Sequence, residues 1–246
     1  MSAPSHHSAP ALVQRLLITP VLPPPRLRRL AQLYVGLYLY GLSGALLLRS
    51  ELGATPWDVL HQGLSLQTGL SIGTWSIIVG ALLMLLWIPL RQKAGLGTLS
   101  NVIVIGLSVD LSLWLLPTTD LMPLRLLLLA LGVLVCAVAT GCYIGVGLGP
   151  GPRDGLMTGL AGLGLSIRLA RTLIEVTVAL LGFLLGGTVG VGTVVFMLAI
   201  GPLTQVFLPL MRMPERPRPA QPSDRQAPDG GDHPSTAPEW PKPDHP

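Results

Sequence analysis

Charged residues are scarce in this chain. Asp, Glu, Lys and Arg make up 11% of its 246 residues, whereas 50% of the residues are hydrophobic. A soluble domain usually has about a quarter charged residues, so the composition excludes an ordinary water-soluble fold. The formal net charge of +4 does not indicate nucleic-acid binding, because the bases flank apolar runs and accompany no zinc-finger, RNA-recognition or basic-helix motif.

Cysteine and the usual ligand and catalytic motifs are also scarce. The two cysteines, Cys136 and Cys142, share one apolar run, and six helical residues separate them by about 9 Å along the axis, so we predict packing residues and no disulfide. A metal site needs several ligands at compatible spacing, and no such set is present, so no metal and no cofactor is predicted. Because Gly-x-Ser-x-Gly, His-Glu-x-x-His and acidic clusters are missing as well, the sequence predicts no enzyme.

Long apolar runs, by contrast, are abundant. A helix that crosses a bilayer needs roughly 17–25 mostly apolar residues. Six runs meet this length, and the fifth contains Arg171 and Glu175, which are spaced to pair on one helical face. The predicted crossings are Leu30–Leu48, Ile72–Leu90, Leu96–Leu116, Leu124–Val146, Leu169–Leu185 and Val191–Met211. We therefore expect an all-α membrane protein.

Two further segments, Pro56–Leu66 and Pro152–Leu163, are too short and too polar to cross. Each begins Pro-x-Asp, which places proline in the first turn of a helix and an acid near its positive end. We expect a short helix in each segment, led by a Gly/Pro-containing stretch.

The basic residues predict the orientation, because cytoplasmic connections carry an excess of Lys and Arg. With six crossings, four basic groups fall on one side and both termini lie in the cytoplasm. These groups are Arg26, Arg28 and Arg29; Arg91 and Lys93; Arg153, Arg168 and Arg171; and Arg212, Arg216 and Arg218. The N-terminus lacks the order of features in a cleavable signal, and residues 1–25 and the Pro-rich segment 213–246 are predicted to be disordered, the latter as a cytoplasmic tail.

The sequence also repeats itself. "LGATPWDVLHQGL" at Leu52 and "LGPGPRDGLMTGL" at Leu148 share seven residues at an offset of 96, and "GLSI", "GLGT/GVGT" and a later glycine recur at an offset of 95. We infer a duplication, with repeats at 26–120 and 121–212. Since three crossings are an odd number, the two copies must insert in opposite orientations. Inverted repeats of this kind recur in secondary transporters, whose sites lie at matching broken segments.

The stretches "GATPWDVLHQGLSLQTGLSIGTWSIIVG", "PLRQKAGLGTLSNVIVIG", "GLGPGPRDGLMTGL" and "GGTVGVGTV" resemble the YczE/YitT-type bacterial integral membrane proteins, and most closely the YczE branch. The resemblance covers roughly residues 29–211. It implies a multi-pass protein of the bacterial cytoplasmic membrane, sometimes thought to be a transporter, but brings no substrate and no functional residue with it.

A few polar residues are candidates for a substrate or ion site, since ionisable groups within a membrane are costly. Asp58 and Asp154 match in the two repeats; they could bind a cation, a proton or a basic solute, or they could cap their helices. The flanking residues Pro56, Pro152, Gly53 and Gly149 belong to the same predicted central site. His61 could share a proton with Asp58, and Asp110, matched by Gln205, could contribute or lie at the interface with water.

Two hypotheses for the function follow. One is a transporter-like permease for a small polar or charged solute. The other is a non-transporting scaffold, assembly or regulatory protein, and the sequence leaves a homo-oligomer or a protein partner open. A transporter should contain a polar cavity lined by both repeats, whereas a scaffold should be closed and apolar inside.

Overall fold

The computed structural model describes residues 26–213, which form α-helices and no β-strand. The all-α prediction is therefore confirmed for this range. The predicted disordered segments 1–25 and 213–246 lie outside the described residues, except for Met213. The helices are α1 (Arg26–Ser50), α2 (Pro56–Thr68), α3 (Ile72–Trp87), α4 (Leu96–Leu115), α5 (Met122–Gly145), α6 (Pro152–Ala161), α7 (Ile167–Leu184) and α8 (Val191–Met211).

The two short helices are present where the sequence predicts them. In α2, Thr55 is the N-cap and its hydroxyl accepts a hydrogen bond from the N–H of Asp58, while Pro56 occupies the first helical position. At the other end, Gly69 adopts a left-handed conformation with φ of 78° and closes the helix. α6 likewise begins at Pro152 and has an acid, Asp154, in its first turn. Both arrangements follow the usual chemistry of helix starts and stops.

Four of the described helices, α1, α4, α5 and α8, are each long and apolar enough to cross a membrane. The bent pair of α2 and α3, which meet at 115°, adds a fifth crossing if it forms one broken span. Alone, α3 has 16 residues, or about 24 Å of helix, and α7 carries Arg168, Arg171 and Glu175 among its 18 residues. Several crossings are thus present, and the number six stays a prediction.

The central pair of helices, α1 and α5, runs antiparallel. At one end, the Arg29 guanidinium near the start of α1 donates a hydrogen bond of 2.6 Å to the carbonyl of Val146, just after α5. At the other end, Arg125 in the first turn of α5 forms a 2.6 Å ion pair with Glu51, just after α1. Since these two helices are matching elements of the sequence repeat, matching elements run in opposite directions.

The remaining packing follows the same correspondence. α1 packs on α4 and α5 packs on α8, each within its own repeat. Each short helix instead packs on a helix of the other repeat: α2 on α7, and α6 on α3. At the first of these exchanged contacts, a Cβ added to Gly182 would lie 2.5 Å from the Val59 carbonyl carbon; at the second, a Cβ added to Gly155 would overlap the Trp87 ring. Val59 matches Gly155 and Gly182 matches Trp87, so the two contacts are equivalent but exchange the large and the small residue.

The Gly/Pro-containing stretches before α2 and α6 make equivalent backbone contacts. The N–H of Gly192 donates to the carbonyl of Leu52 at 2.7 Å, and the N–H of Gly97 donates to the carbonyl of Leu148 at 2.8 Å. Each acceptor is followed by a glycine with positive φ, 118° at Gly53 and 117° at Gly149. Each stretch therefore joins the start of a long helix from the opposite repeat.

One pair of matching helix contacts differs between the repeats. α3 packs closely on α4, where a Cβ at Gly106 would lie 2.5 Å from the carbonyl oxygen of Gly73. α7 and α8 do not pack together in this way, and a Cβ at Gly201, the match of Gly106, would meet no atom within 4 Å. The second repeat is therefore open where the first is closed.

Candidate functional site

A cavity of about 310 Å³ occupies the gap between α7 and α8. Both repeats contribute to its wall. The first provides Tyr40 and the start of α2; the second provides parts of α5, α6, α7 and α8. Its lining residues are Tyr40, Thr55, Pro56, Trp57, Thr140, Tyr143, Ile144, Arg153, Asp154, Met157, Arg171, Glu175, Phe196, Ile200, Gly201, Thr204 and Gln205.

The first turns of both short helices reach this cavity. Arg153 of α6 places its guanidinium carbon 4.9 Å from the centre of the Trp57 ring of α2, a cation–π distance. No hydrogen bond or ion pair joins Arg153 to another residue within 26–213. Arg153 is half-buried, so the cavity contains a cation without an acidic partner in direct contact.

Asp154 lies beside Arg153 and is held by a tyrosine. The hydroxyl of Tyr143 in α5 donates a 2.7 Å hydrogen bond to the carboxylate of Asp154. The Tyr143 ring in turn packs edge-to-face on Tyr40 of α1, with 5.9 Å between ring centres. This chain of contacts positions the carboxylate at the cavity wall with a defined hydrogen-bond donor.

Arg171 and Glu175 form the opposite wall. As the spacing predicts, they pair along α7, with 2.9 Å between Nε of Arg171 and Oε1 of Glu175. Across the gap, Thr204 and Gln205 of α8 present a hydroxyl and an amide. The cavity wall thus combines charged side chains of both signs with apolar side chains such as Phe196 and Ile200.

Asp58 matches Asp154 in sequence but does not line the cavity. Its side chain is buried; its carboxylate accepts a 2.7 Å hydrogen bond from the hydroxyl of Thr55. His61 is fully buried next to it, with 3.7 Å between Nδ1 and Oδ1 of Asp58, and neither ring nitrogen has a hydrogen-bond partner. Asp58 is therefore linked to its own helix cap, whereas Asp154 faces the gap.

The other predicted site residues divide between the cavity and the packing contacts. Pro56 lines the cavity, whereas the carbonyl of Pro152 accepts a 3.0 Å hydrogen bond from the Trp87 indole. Gly53 and Gly149 lie against Thr193 and Thr98 of the long helices. Asp110 does not line the cavity: its carboxylate accepts hydrogen bonds from the Gly73 N–H at 2.8 Å and the Ser71 hydroxyl at 2.5 Å, at the start of α3.

The sequence reasoning missed several lining residues. In the sequence Arg153 indicates only the orientation and Trp57 carries no signal of its own, although the structure buries this ring against the guanidinium of Arg153. Tyr143 and Thr204 carried no signal of their own. For Gln205 a signal existed, since it is the polar match of Asp110 and would otherwise be an unexplained amide in an apolar helix. Within residues 26–213 no group of three or more His, Cys, Asp or Glu side chains is placed to hold a metal ion.

Several long apolar helices and an exterior rich in exposed leucine, such as Leu198 and Leu210, define the chain as a multi-pass α-helical membrane protein in contact with the lipid bilayer. Residues 27–209 match the family of unknown function DUF6198. Since this match covers most of the chain, the protein belongs to that family.

Three curated proteins are similar to it. An "Uncharacterized protein" of Haemophilus influenzae is 42% identical over 187 residues, which cover 75% of this chain and 86% of the relative. The "Uncharacterized membrane protein YczE" of Bacillus subtilis is 31% identical over 72% of this chain and 83% of its own. The "Uncharacterized protein YyaS" of the same organism is 27% identical over 72% and 90%, respectively. The predicted YczE-like relationship is confirmed, and no solved structure matches the chain.

Proposed function

We propose that the protein is a six-crossing inverted repeat with both termini in the cytoplasm. The antiparallel course of α1 and α5 supports opposite insertion of the copies. The exchanged packing of α2 and α6 supports it as well. α3 and α7 complete the count, since Arg171 and Glu175 of α7 pair with each other and line the cavity.

The distribution of bases along the molecule supports the orientation. Arg29 contacts Val146, Gly95 contacts Leu148, and Gly145 contacts Met211. Four segments therefore lie at one end of the molecule, and the basic groups of the sequence adjoin them. They are the start of α1, the α3–α4 connection, the α5–α6 connection and the end of α8. At the opposite end, Arg125 is paired with Glu51 and Asp120. The basic end is accordingly cytoplasmic.

Within this architecture we propose a transporter-like permease. The observation that carries the proposal is the polar cavity of about 310 Å³ lined by both repeats, which is the feature that separates a permease from a closed scaffold. Transporters of inverted-repeat construction place their sites where broken helices from both halves meet, with helix N-termini directed at the substrate. Here the first turns of α2 and α6 meet at Trp57 and Arg153. No catalytic role is assigned to the cavity.

Sided labelling of Asp154 tests this proposal. Asp154→Cys is introduced into a Cys136→Ala, Cys142→Ala background, and an impermeant thiol reagent is applied to right-side-out and inverted vesicles. A permease that alternates between the two faces exposes position 154 to both sides. Asp58→Cys is the matched control, since position 58 is buried behind Thr55 and should react slowly. If Asp154→Cys in a folded protein reacts from neither side, the scaffold hypothesis replaces the permease.

A further inference from the structure

A second, apolar groove adjoins the cavity, and both have Trp57 in their walls. The groove has a volume of about 430 Å³ and lies between α3 and α7, over the short helices. Of its lining residues only Thr177 is polar. They are Trp57, Leu60, Val79, Leu82, Leu83, Leu86, Leu156, Leu173, Ile174, Thr177 and Val178.

The indole of Trp57 is the partition between the two spaces. It is buried, with 6% of its surface exposed, and it lines the polar cavity and the apolar groove. On α7, Ile174 lines the groove while the next residue, Glu175, lines the cavity; on α6, Leu156 and Met157 divide in the same way. The polar and apolar spaces are thus adjacent over three helices, with the Trp57 ring between them.

The charges at the polar end select the head group. Four charged side chains line the cavity. Glu175 is paired with Arg171, and Asp154 accepts a hydrogen bond from Tyr143, whereas Arg153 contacts the face of Trp57 and lies near Asp58, to which no hydrogen bond joins it within residues 26–213. Arg153 therefore retains donors for an anionic group, and a guanidinium suits carboxylate and phosphate geometry. Arg153 also lies beside Trp57, which lies between the cavity and the apolar groove. The polar head and the apolar tail of an amphiphilic ligand would join at this point.

From this adjacency and charge complementarity we propose that the substrate is a single-chain amphiphile with an anionic head group. The head binds Arg153 in the cavity, and the hydrocarbon chain lies in the groove between α3 and α7, on the other side of Trp57. The proposal rests on the permease proposed above and names the class of its substrate.

Fluorescence quenching at Trp57 tests the inference with the full chain in phosphatidylcholine nanodiscs. The probe is 11-bromoundecanoate, whose bromine quenches only nearby indoles. The signal from Trp57 is the quenching in the native protein minus that in Trp57→Phe. We expect a saturable component that unbrominated dodecanoate reverses, and that acetate and dodecylamine leave unchanged.

Two variants test the head-group contact and the apolar groove separately. Arg153→Gln should raise the half-saturating concentration about tenfold or more, because a charge-assisted hydrogen bond is lost. Thr177→Phe, which fills the groove from an exposed position, should weaken binding of the long chain similarly. Arg168→Gln is the control, since Arg168 is an exposed base on α7 that does not line the cavity.

The alternative outcomes overturn the inference in different ways. Quenching that rises linearly, with no saturation and no response to dodecanoate or Arg153→Gln, means partition into the bilayer only and refutes the site. Competition by acetate as strong as that by dodecanoate means a site for small anions without a chain; the permease then stands and the amphiphile falls. Failure of the permease itself is separate, because it is read from the labelling of Asp154→Cys.

Discussion

The two repeats have nearly the same backbone contacts but leave different spaces between their helices. In the first repeat, α3 and α4 meet at Gly73 and Gly106, and the carboxylate of Asp110 joins them. In the second, the matching helices α7 and α8 stand apart at Gly201, and the polar cavity fills the gap. The comparison teaches that matching helices can keep the same backbone contacts, while a small number of side chains decide which pair of helices encloses a cavity.

The residues at matching positions explain the difference. Gly73, which allows α3 to approach α4, is matched by Arg168, whose long side chain cannot fit into such a contact. Asp110, which binds the start of α3, is matched by Gln205, and Gly80 by Glu175. Close helix contacts in membranes depend on small residues, so the second repeat lacks the residues that closure requires. It has larger polar side chains in the same places.

The largest expected effects test what the repeats share. Gly53→Ala and Gly149→Ala each place a Cβ at a φ near 118°, with Thr193 Oγ1 or Thr98 Oγ1 2.7 Å away. Backbone strain and overpacking together should lower the free energy of unfolding by about 3–5 kcal/mol in either case. SDS titration of the purified protein measures the loss. A mild effect at one glycine with a severe effect at the other would show that the two stretches are not equivalent.

The next largest effects on stability should differ between the two repeats. Gly106→Ala inserts a methyl group between α3 and α4 and should cost about 1–3 kcal/mol. Gly201→Ala meets no neighbour within 4 Å and should be neutral, or should stabilise α8 by up to about 1 kcal/mol. Thermal unfolding in detergent compares the two variants directly. Equal destabilisation by both would mean that α7 and α8 close as tightly as α3 and α4.

The hydrogen bonds that Asp58 and Asp154 accept from hydroxyl groups allow the same comparison between the repeats. Thr55→Val removes the hydroxyl that contacts Asp58 and leaves a buried carboxylate without that partner, at a cost of about 1–3 kcal/mol. Tyr143→Phe removes the corresponding hydroxyl from Asp154, but water in the cavity can replace it, so we expect a loss below about 1 kcal/mol. The unfolding free energies of both variants, measured alongside Thr55→Ser as a control, decide the point. A larger loss for Tyr143→Phe would place Asp154 in a closed site.

The smallest effects concern the last matching pair. Asp110→Asn keeps the shape but removes the charge near the N-terminus of α3, which should cost about 0.5–1 kcal/mol. Gln205→Ala alters the open cavity and should change stability by less than about 0.5 kcal/mol. Thermal midpoints of both variants provide the measurement. A clear destabilisation by Gln205→Ala would indicate that its amide supports the packing of α8 and not a solute.

The sequence predicted the helices better than it predicted the site. Apolar runs and Pro-x-Asp starts are local signals, and they located the long helices and both short ones. The repeat identified matching elements, so Asp58 and Asp154 were expected to share one central site. The structure gives them different partners: Asp58 accepts from Thr55, three residues before it, whereas Asp154, whose matching position is Gly151, accepts from Tyr143 of α5. The first contact is a local cap that the sequence can suggest, but the second depends on how α5 packs beside α6, and that information is not local.

The number of crossings and the residues of the cavity wall were also hard to predict from local sequence signals. The length of α3 and the charges of α7 weaken any count from hydropathy alone, since paired charges that face a cavity look in sequence like charges that face lipid. Arg153 was visible only as a base in a connection. Its contact with Trp57 joins residues 96 positions apart, and it became a candidate for binding only after α2 and α6 were packed together.

One measurement tests the central claim that one repeat is closed and the other is open. Thr204→Cys and Val109→Cys replace matching residues, the first on the cavity wall and the second buried with 2% of its surface exposed. Both variants, without Cys136 and Cys142, are treated in nanodiscs with a water-soluble maleimide, and their reaction rates are compared. We predict that position 204 reacts at least about tenfold faster than position 109. Equal rates in folded protein would contradict the account.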